Sequence, residues 1–104
     1  MPSLDIVALR RAFLENRYFI KLHAKQRMSE RKVSDRDLRH VILAGEAIEV
    51  TPDAYPFPKA LFMAEVAGEP LYVACAFDGQ FAHIITVHWY DPQKWVDPRT
   101  RRAP

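Results

Sequence analysis

Apolar and polar positions change period several times along this chain, and each change marks an element. In residues 4–16, LDIVALRRAFLEN, Leu4, Val7, Ala8 and Phe13 or Leu14 fall on one side of a helical wheel. Arg10, Arg11 and Glu15 fall on the other, and Ser3 stands where a cap is needed. The next residues, YFIKL (18–22), are aromatic and β-branched, which predicts a short strand. Helical spacing returns in HAKQRMSER (23–31), where Ala24 and Met28 recur four apart.

A further helix is bounded at both ends. Ser34 and Asp37 have capping-box spacing, Leu38, Val41 and Ile42 form the apolar stripe, and Gly45 is expected to end it in left-handed backbone. EAIEV (46–50) reads as a strand running into a loop that Pro52, Pro56 and Pro58 keep irregular. ALFMAEV (60–66) fits helix or strand; the turn AGEP and the strand LYVACAF after it favour a hairpin. Asp78–Gly79 is a hairpin turn signal leading into FAHIITVHWY, the clearest strand of the chain. Strict alternation there points Phe81, His83, Ile85, Val87 and Trp89 at the helices. It leaves Ala82, Ile84, Thr86, His88 and Tyr90 on the open face. Helices followed by a run of strands predict an α+β fold, with the helices on one face of a single, mainly antiparallel sheet.

Composition narrows the class without naming a function. At 104 residues the chain fits one domain with one core. Its 49% hydrophobic and 27% charged residues are globular proportions, which argues against disorder. A net charge of +2 and a pI near 8.9 are too mild to indicate nucleic acid by themselves. The single cysteine, Cys75, has no internal disulfide partner and shares a strand face with Leu71, Val73 and Phe77, so it reads as a small core residue. No stretch approaches the ~20 apolar residues of a membrane span, and the first residues lack a leader pattern, so a soluble cytoplasmic protein is expected.

Two constellations could carry chemistry. The first is the row His23, Arg27 and Arg31, which lies within one ~80° sector beside the buried pair Ala24 and Met28. Guanidinium groups half-shielded at the margin of a core keep more of their field than exposed ones. An imidazole beside them can move protons. The plainer reading is a helix edge whose arginines pair with Glu30 or with strand acids. The second constellation is the open face of the last strand, where Thr86, His88 and Tyr90 offer a hydroxyl, an imidazole and a phenol, suited to a phosphate and a stacked base. There the plainer reading is a solvated sheet face. Arg99, Arg101 and Arg102 form a basic tail that could contact nucleic acid or an acidic partner. The four histidines and one cysteine form no metal-ligand pattern, and no glycine-rich phosphate loop exists, so neither a metal nor a cofactor is expected.

HAKQRMSERKVSDRDLRHVILAGEAIE, followed by a strand ending HIITVHWYDPQKW, resembles the bacterial family called domain of unknown function 4258. That pattern is a helix with H-A-x-x-R-M-x-E-R, a second helix, an acidic strand, and a late I-I-T-V strand before a proline and a tryptophan. The resemblance covers roughly residues 18–95. It leaves residues 1–17 as an N-terminal helical extension and 96–104 as a basic C-terminal tail. The family is similar in layout to BrnT and RelE-type toxins, small RNases with helices preceding an antiparallel sheet. By analogy the resemblance implies an RNA-binding or RNA-cleaving domain acting without metal. Carried over residue by residue, the pattern falls on His23, Arg27, Arg31 and Thr86; these, with His88 of the strand face, would do the chemistry, and Tyr90 with the tail residues Arg99, Arg101 and Arg102 would hold the substrate. The expected partners are RNA or an antitoxin protein. The alternative is a non-catalytic module that docks an antitoxin or a sister subunit.

Overall fold

A computed structural model describes residues 3–103. Met1, Pro2 and Pro104, the outermost positions of the two expected terminal segments, lie outside the described residues. The elements in chain order are α1 (Ile6–Leu14), β1 (Tyr18–Ile20), α2 (Leu22–Glu30), α3 (Asp35–Ala44), β2 (Glu46–Thr51), β3 (Lys59–Val66), β4 (Glu69–Phe77), β5 (Ala82–Trp89), β6 (Trp95–Asp97) and β7 (Thr100–Arg101). Five strands make one sheet in the order β1-β5-β4-β3-β2. All its pairings are antiparallel except that of β1 with β5. The α+β expectation is met, and residues 60–66 resolve as strand.

The main core lies between the helices and one face of this sheet. Leu9, Ala12 and Phe13 of α1, Ala24 and Met28 of α2, and Leu38, Val41 and Ile42 of α3 pack on Phe62, Leu71, Val73, Cys75, Ile84 and Val87. Two expected details of the helices differ. Helix α1 buries Leu9, Ala12 and Phe13 and leaves Val7 and Leu14 exposed. Its cap is Asp5, whose carboxylate accepts the Ala8 N–H at 3.0 Å, not Ser3. The segment holds more apolar residues than one helix face can bury, so spacing alone did not choose the face.

Gly45 ends α3 with φ −80° and ψ 176°, in extended rather than left-handed backbone. Glycine is required there by close approach, because a Cβ would collide with the Val41 carbonyl oxygen and come within 2.8 Å of that of Met63. The Ser34–Asp37 capping box is present in both directions, at 3.0 and 3.1 Å. Arg10 ties α1 to the end of α3, donating to the Ile42 carbonyl at 2.9 Å and the Gly45 carbonyl at 2.6 Å.

The face of β5 differs from strict alternation, and the cause is a bulge. Thr86 pairs with Ala74 and Ile84 with Cys75, so Ile85 is an extra residue. The bulge exchanges the two faces midway. Ala82 and Ile84 point into the core and His83 points outward, opposite to expectation, whereas Val87 and Trp89 pack inward as expected. Thr86 and His88 keep their places on the open face.

The segment expected to be a basic tail folds back as the hairpin β6–β7, which covers part of that open face. Trp95, fully buried, stacks on Tyr72 with ring centroids 4.6 Å apart, and Leu61 and Met63 complete a second small core. The Tyr72 hydroxyl donates to the Pro98 carbonyl at 2.8 Å and fastens the hairpin.

Candidate functional site

The uncovered part of the open face is built row by row across the sheet. One row reads Met63, Tyr72, His88; the next reads Glu49, Leu61, Ala74, Thr86; a third reads Thr51, Lys59, Ala76, His83. Alanines on β4 make a low floor between the taller side chains of β3 and β5. The result is a cleft of about 300 Å³ lined by Lys59, Leu61, Ala74, Thr86, His88 and Arg101, among others.

His88 stands at the upper end of this cleft. Its ring lies on Tyr72 at 5.0 Å and within 9° of parallel, which fixes its orientation. Neither ring nitrogen is hydrogen-bonded to a described residue. A second, smaller cleft on its other side is lined by Arg31, His88, Trp89, Asp91 and Lys94. Burial, then the nearby charges of Arg31, Lys94 and Arg101, lower the His88 pKa from 6.5 to about 4, against a smaller opposing effect of Asp91. The imidazole is therefore neutral at physiological pH.

Arg31 arrives from the residue that ends α2. Strand β1 pairs only with residues 82–84 of β5, so the edge beyond is open. Arg31 covers part of it, donating from its guanidinium to the Val87 carbonyl, and its own carbonyl accepts the Trp89 indole N–H at 2.9 Å. Lys94 carries no side-chain hydrogen bond or ion pair among the described residues. Arg101 is held by Glu49 through bonds of 2.8 and 3.0 Å, and its guanidinium lies 4.5 Å from the Trp95 ring centroid. The same bonds lower the Glu49 pKa and raise that of Arg101.

The structure thus brings Arg31, Thr86, His88 and Arg101 around two adjoining clefts, and keeps other expected site residues apart. His23 and Arg27 stand on the exposed side of α2. There an Arg27 N–H reaches His23 at 3.5 Å and pairs with Glu30 at 3.0 Å. His23 is eight residues from Arg31, about 12 Å along a helix axis. Neither residue lines the two clefts at His88. Tyr90 is half-buried against the Trp95 cluster, its hydroxyl 3.5 Å from the Trp95 carbonyl. Arg99 pairs with Glu46 at 2.9 Å, and Arg102 donates to the Pro92 carbonyl at 2.7 Å. Lys59 and Lys94 are not singled out by the sequence, whereas Glu49 is one of the strand acids expected to neutralise an arginine. Glu49 and Arg101 are 52 residues apart, and only the fold-back of the β6–β7 hairpin brings their side chains together.

The family model described as Domain of unknown function (DUF4258) matches residues 20–89, which is 70 of the 104 residues, and the chain belongs to that family. No curated protein and no solved structure matches the chain.

Proposed function

We propose that this member of the DUF4258 family is a small RNA-cleaving domain that works without metal, with its centre at His88 and Arg31. The observation that carries the reading is the convergence around His88 of a desolvated, protein-unbonded imidazole with the charges of Arg31 at the end of α2, Lys94 before β6 and Arg101 of β7. In the proposed reaction a scissile phosphate lies between Arg31 and Lys94. Neutral His88 takes the proton of the adjacent 2′-hydroxyl. The 2′-oxygen–phosphorus bond forms, the bond to the 5′-oxygen breaks, and the departing oxygen takes a proton from solvent. Arg31 and Lys94 offset the charge that builds on the phosphorane, and Thr86, in the adjoining cleft, positions an oxygen of the neighbouring phosphate. A bound phosphate also offsets the cations that depress His88, so the base strengthens when substrate is present. His23 and Arg27 extend the cationic surface along α2 as outlying contacts. Arg99, Arg101 and Arg102 hold the hairpin that walls the cleft.

One observation favours the rival, a non-catalytic module docking an antitoxin or a sister subunit: Arg27, Arg99 and Arg101 each already hold a carboxylate. Incubation of the purified protein with single-stranded RNA separates the two. Cleavage yielding 2′,3′-cyclic phosphate ends, lost in His88→Gln and Arg31→Ala and kept in Arg99→Ala, is the expected result. Intact RNA with the folded wild-type protein would sink the catalytic reading.

A further inference from the structure

The lower end of the open face carries a second cluster that the proposed cleavage step does not use. Phe19 of β1 stacks on Phe81 at 5.0 Å and meets His83 of β5 at 5.6 Å, and Phe57, from the proline-rich loop, stacks on the other part of His83 at 5.6 Å. Four rings thus form one surface patch. Phe19 is 53% exposed and Phe57 36% exposed, so aromatic faces are left to water where folding could have buried them. Asp78 keeps the patch in place. One of its carboxylate oxygens accepts the His83 Nε2–H at 2.9 Å, and the other accepts the backbone N–H groups of Gln80 and Phe81 at 2.8 and 2.6 Å. The carboxylate bonded to His83 is therefore already occupied.

The patch is continuous with the cleft at His88. His83 shares a cross-strand row with Ala76 and Lys59, and the next row holds Thr86 and Ala74. The alanine floor of β4 runs from the rings toward His88. Successive open-face positions on one strand are about 6.6 Å apart, from two residues at ~3.3 Å each. Exposed Lys59, which holds no carboxylate among the described residues, flanks the floor; Arg17, at the far side of the patch, bonds the Gln80 carbonyl and is paired with Glu15 at 2.7 Å. A trough flanked by Lys59, with Arg31 and Lys94 at its His88 end and exposed rings at the other, fits an anionic backbone that carries flat bases. It fits an apolar protein surface less well.

We propose that Phe19, Phe57, Phe81 and His83 form a stacking platform for an unpaired base of single-stranded RNA whose backbone follows the β4 trough to His88. This rests on the RNA reading above and specifies its substrate as unpaired RNA held at least two nucleotides from the scissile bond. Open sheet faces that present aromatic rings bind single strands in this way, because every base offers a π-face.

The test uses the full chain and an uncleavable 2′-O-methyl oligonucleotide of about ten nucleotides. Its affinity is measured by fluorescence anisotropy and compared with that of an abasic version of the same length. Phe19→Ala and Phe57→Ala, both at exposed positions, should each weaken binding roughly 5- to 100-fold. The salt slope should stay unchanged, because no phosphate contact is lost. The abasic oligonucleotide should bind weakly to every form. Wild-type affinity in both variants, or equal binding of normal and abasic oligonucleotides, overturns the platform and leaves the cleavage reading standing. No binding by the wild type overturns both. A dimer in light scattering that Phe57→Ala splits shows that the rings meet a second copy, and this too overturns the proposal.

Discussion

His88 lies flat on Tyr72, ring centroids 5.0 Å apart, and Tyr72 lies on Trp95 in the same way at 4.6 Å. The three rings come from β5, β4 and the C-terminal hairpin, so the histidine is oriented by a segment 52 residues from Glu49, its anchor on β2. The stack dries one face of the imidazole while leaving its nitrogens free. That combination makes a neutral proton acceptor in a cationic setting.

The pH dependence of stability follows from the same stack. His88 has a pKa of about 4 in the folded chain, against an ordinary 6.5. Between these values the unfolded chain takes up a proton that the folded chain refuses. This contribution is therefore fully present above pH 6.5 and is lost as pH falls toward 4. Urea unfolding at pH 7 and pH 4.5 checks it. His88→Gln should lose less stability across that interval than the wild type, and equal losses would contradict the assignment.

Cys75 is fully buried, and burial pushes its thiol pKa up to about 12. It should resist a thiol reagent at pH 8 in native protein and react at once in denaturant. Rapid native labelling would mean that β4 presents its other face.

What could be read from the sequence divides along physical lines. Capping at Ser34, the strand character of β4 and β5, and the burial of Ala24 and Met28 depend on local chemistry, and each stands in the structure. The reversed face at His83 depends on one extra residue, Ile85, among neighbours that all favour strands, so the bulge has no local signature. Thr86 and His88 kept their face only because they lie beyond it. The hairpin β6–β7 depends on Trp95 finding Tyr72 and on Arg101 finding Glu49, which are long-range events. A stretch of prolines and arginines read alone looks like a solvated tail. Lys94 entered the site by that same route.

The β3–β4 turn offers a stabilising change. Ala67 has φ 52° and Gly68 φ 84°, the two positive values of a two-residue hairpin loop. An alanine in that backbone is strained. Ala67→Asn should raise stability by about 0.5–1 kcal/mol, read from chemical denaturation, without altering RNA cleavage. A destabilised variant would argue against this turn geometry.

Helix α2 separates structure from chemistry on adjacent rows. Met28 is 7% exposed within the main core, so Met28→Ala should cost about 2–5 kcal/mol through the cavity it leaves. Arg27 pairs with Glu30 and reaches His23, both contacts open to solvent, so Arg27→Ala should change stability by about 0–1 kcal/mol. Arg31 is the informative one. Its bond to the Val87 carbonyl closes an open strand edge, so Arg31→Ala should cost about 1.5–3 kcal/mol. If it also meets the scissile phosphate, the remaining folded protein should lose cleavage well beyond that instability. Melting curves and RNA cleavage are measured on the same three variants, with rates expressed per folded molecule. The expected pattern is full specific activity in Met28→Ala, nearly full activity in Arg27→Ala and a large loss in Arg31→Ala. Wild-type specific activity in folded Arg31→Ala would leave the arginine a structural clasp on β5 and remove it from the chemistry.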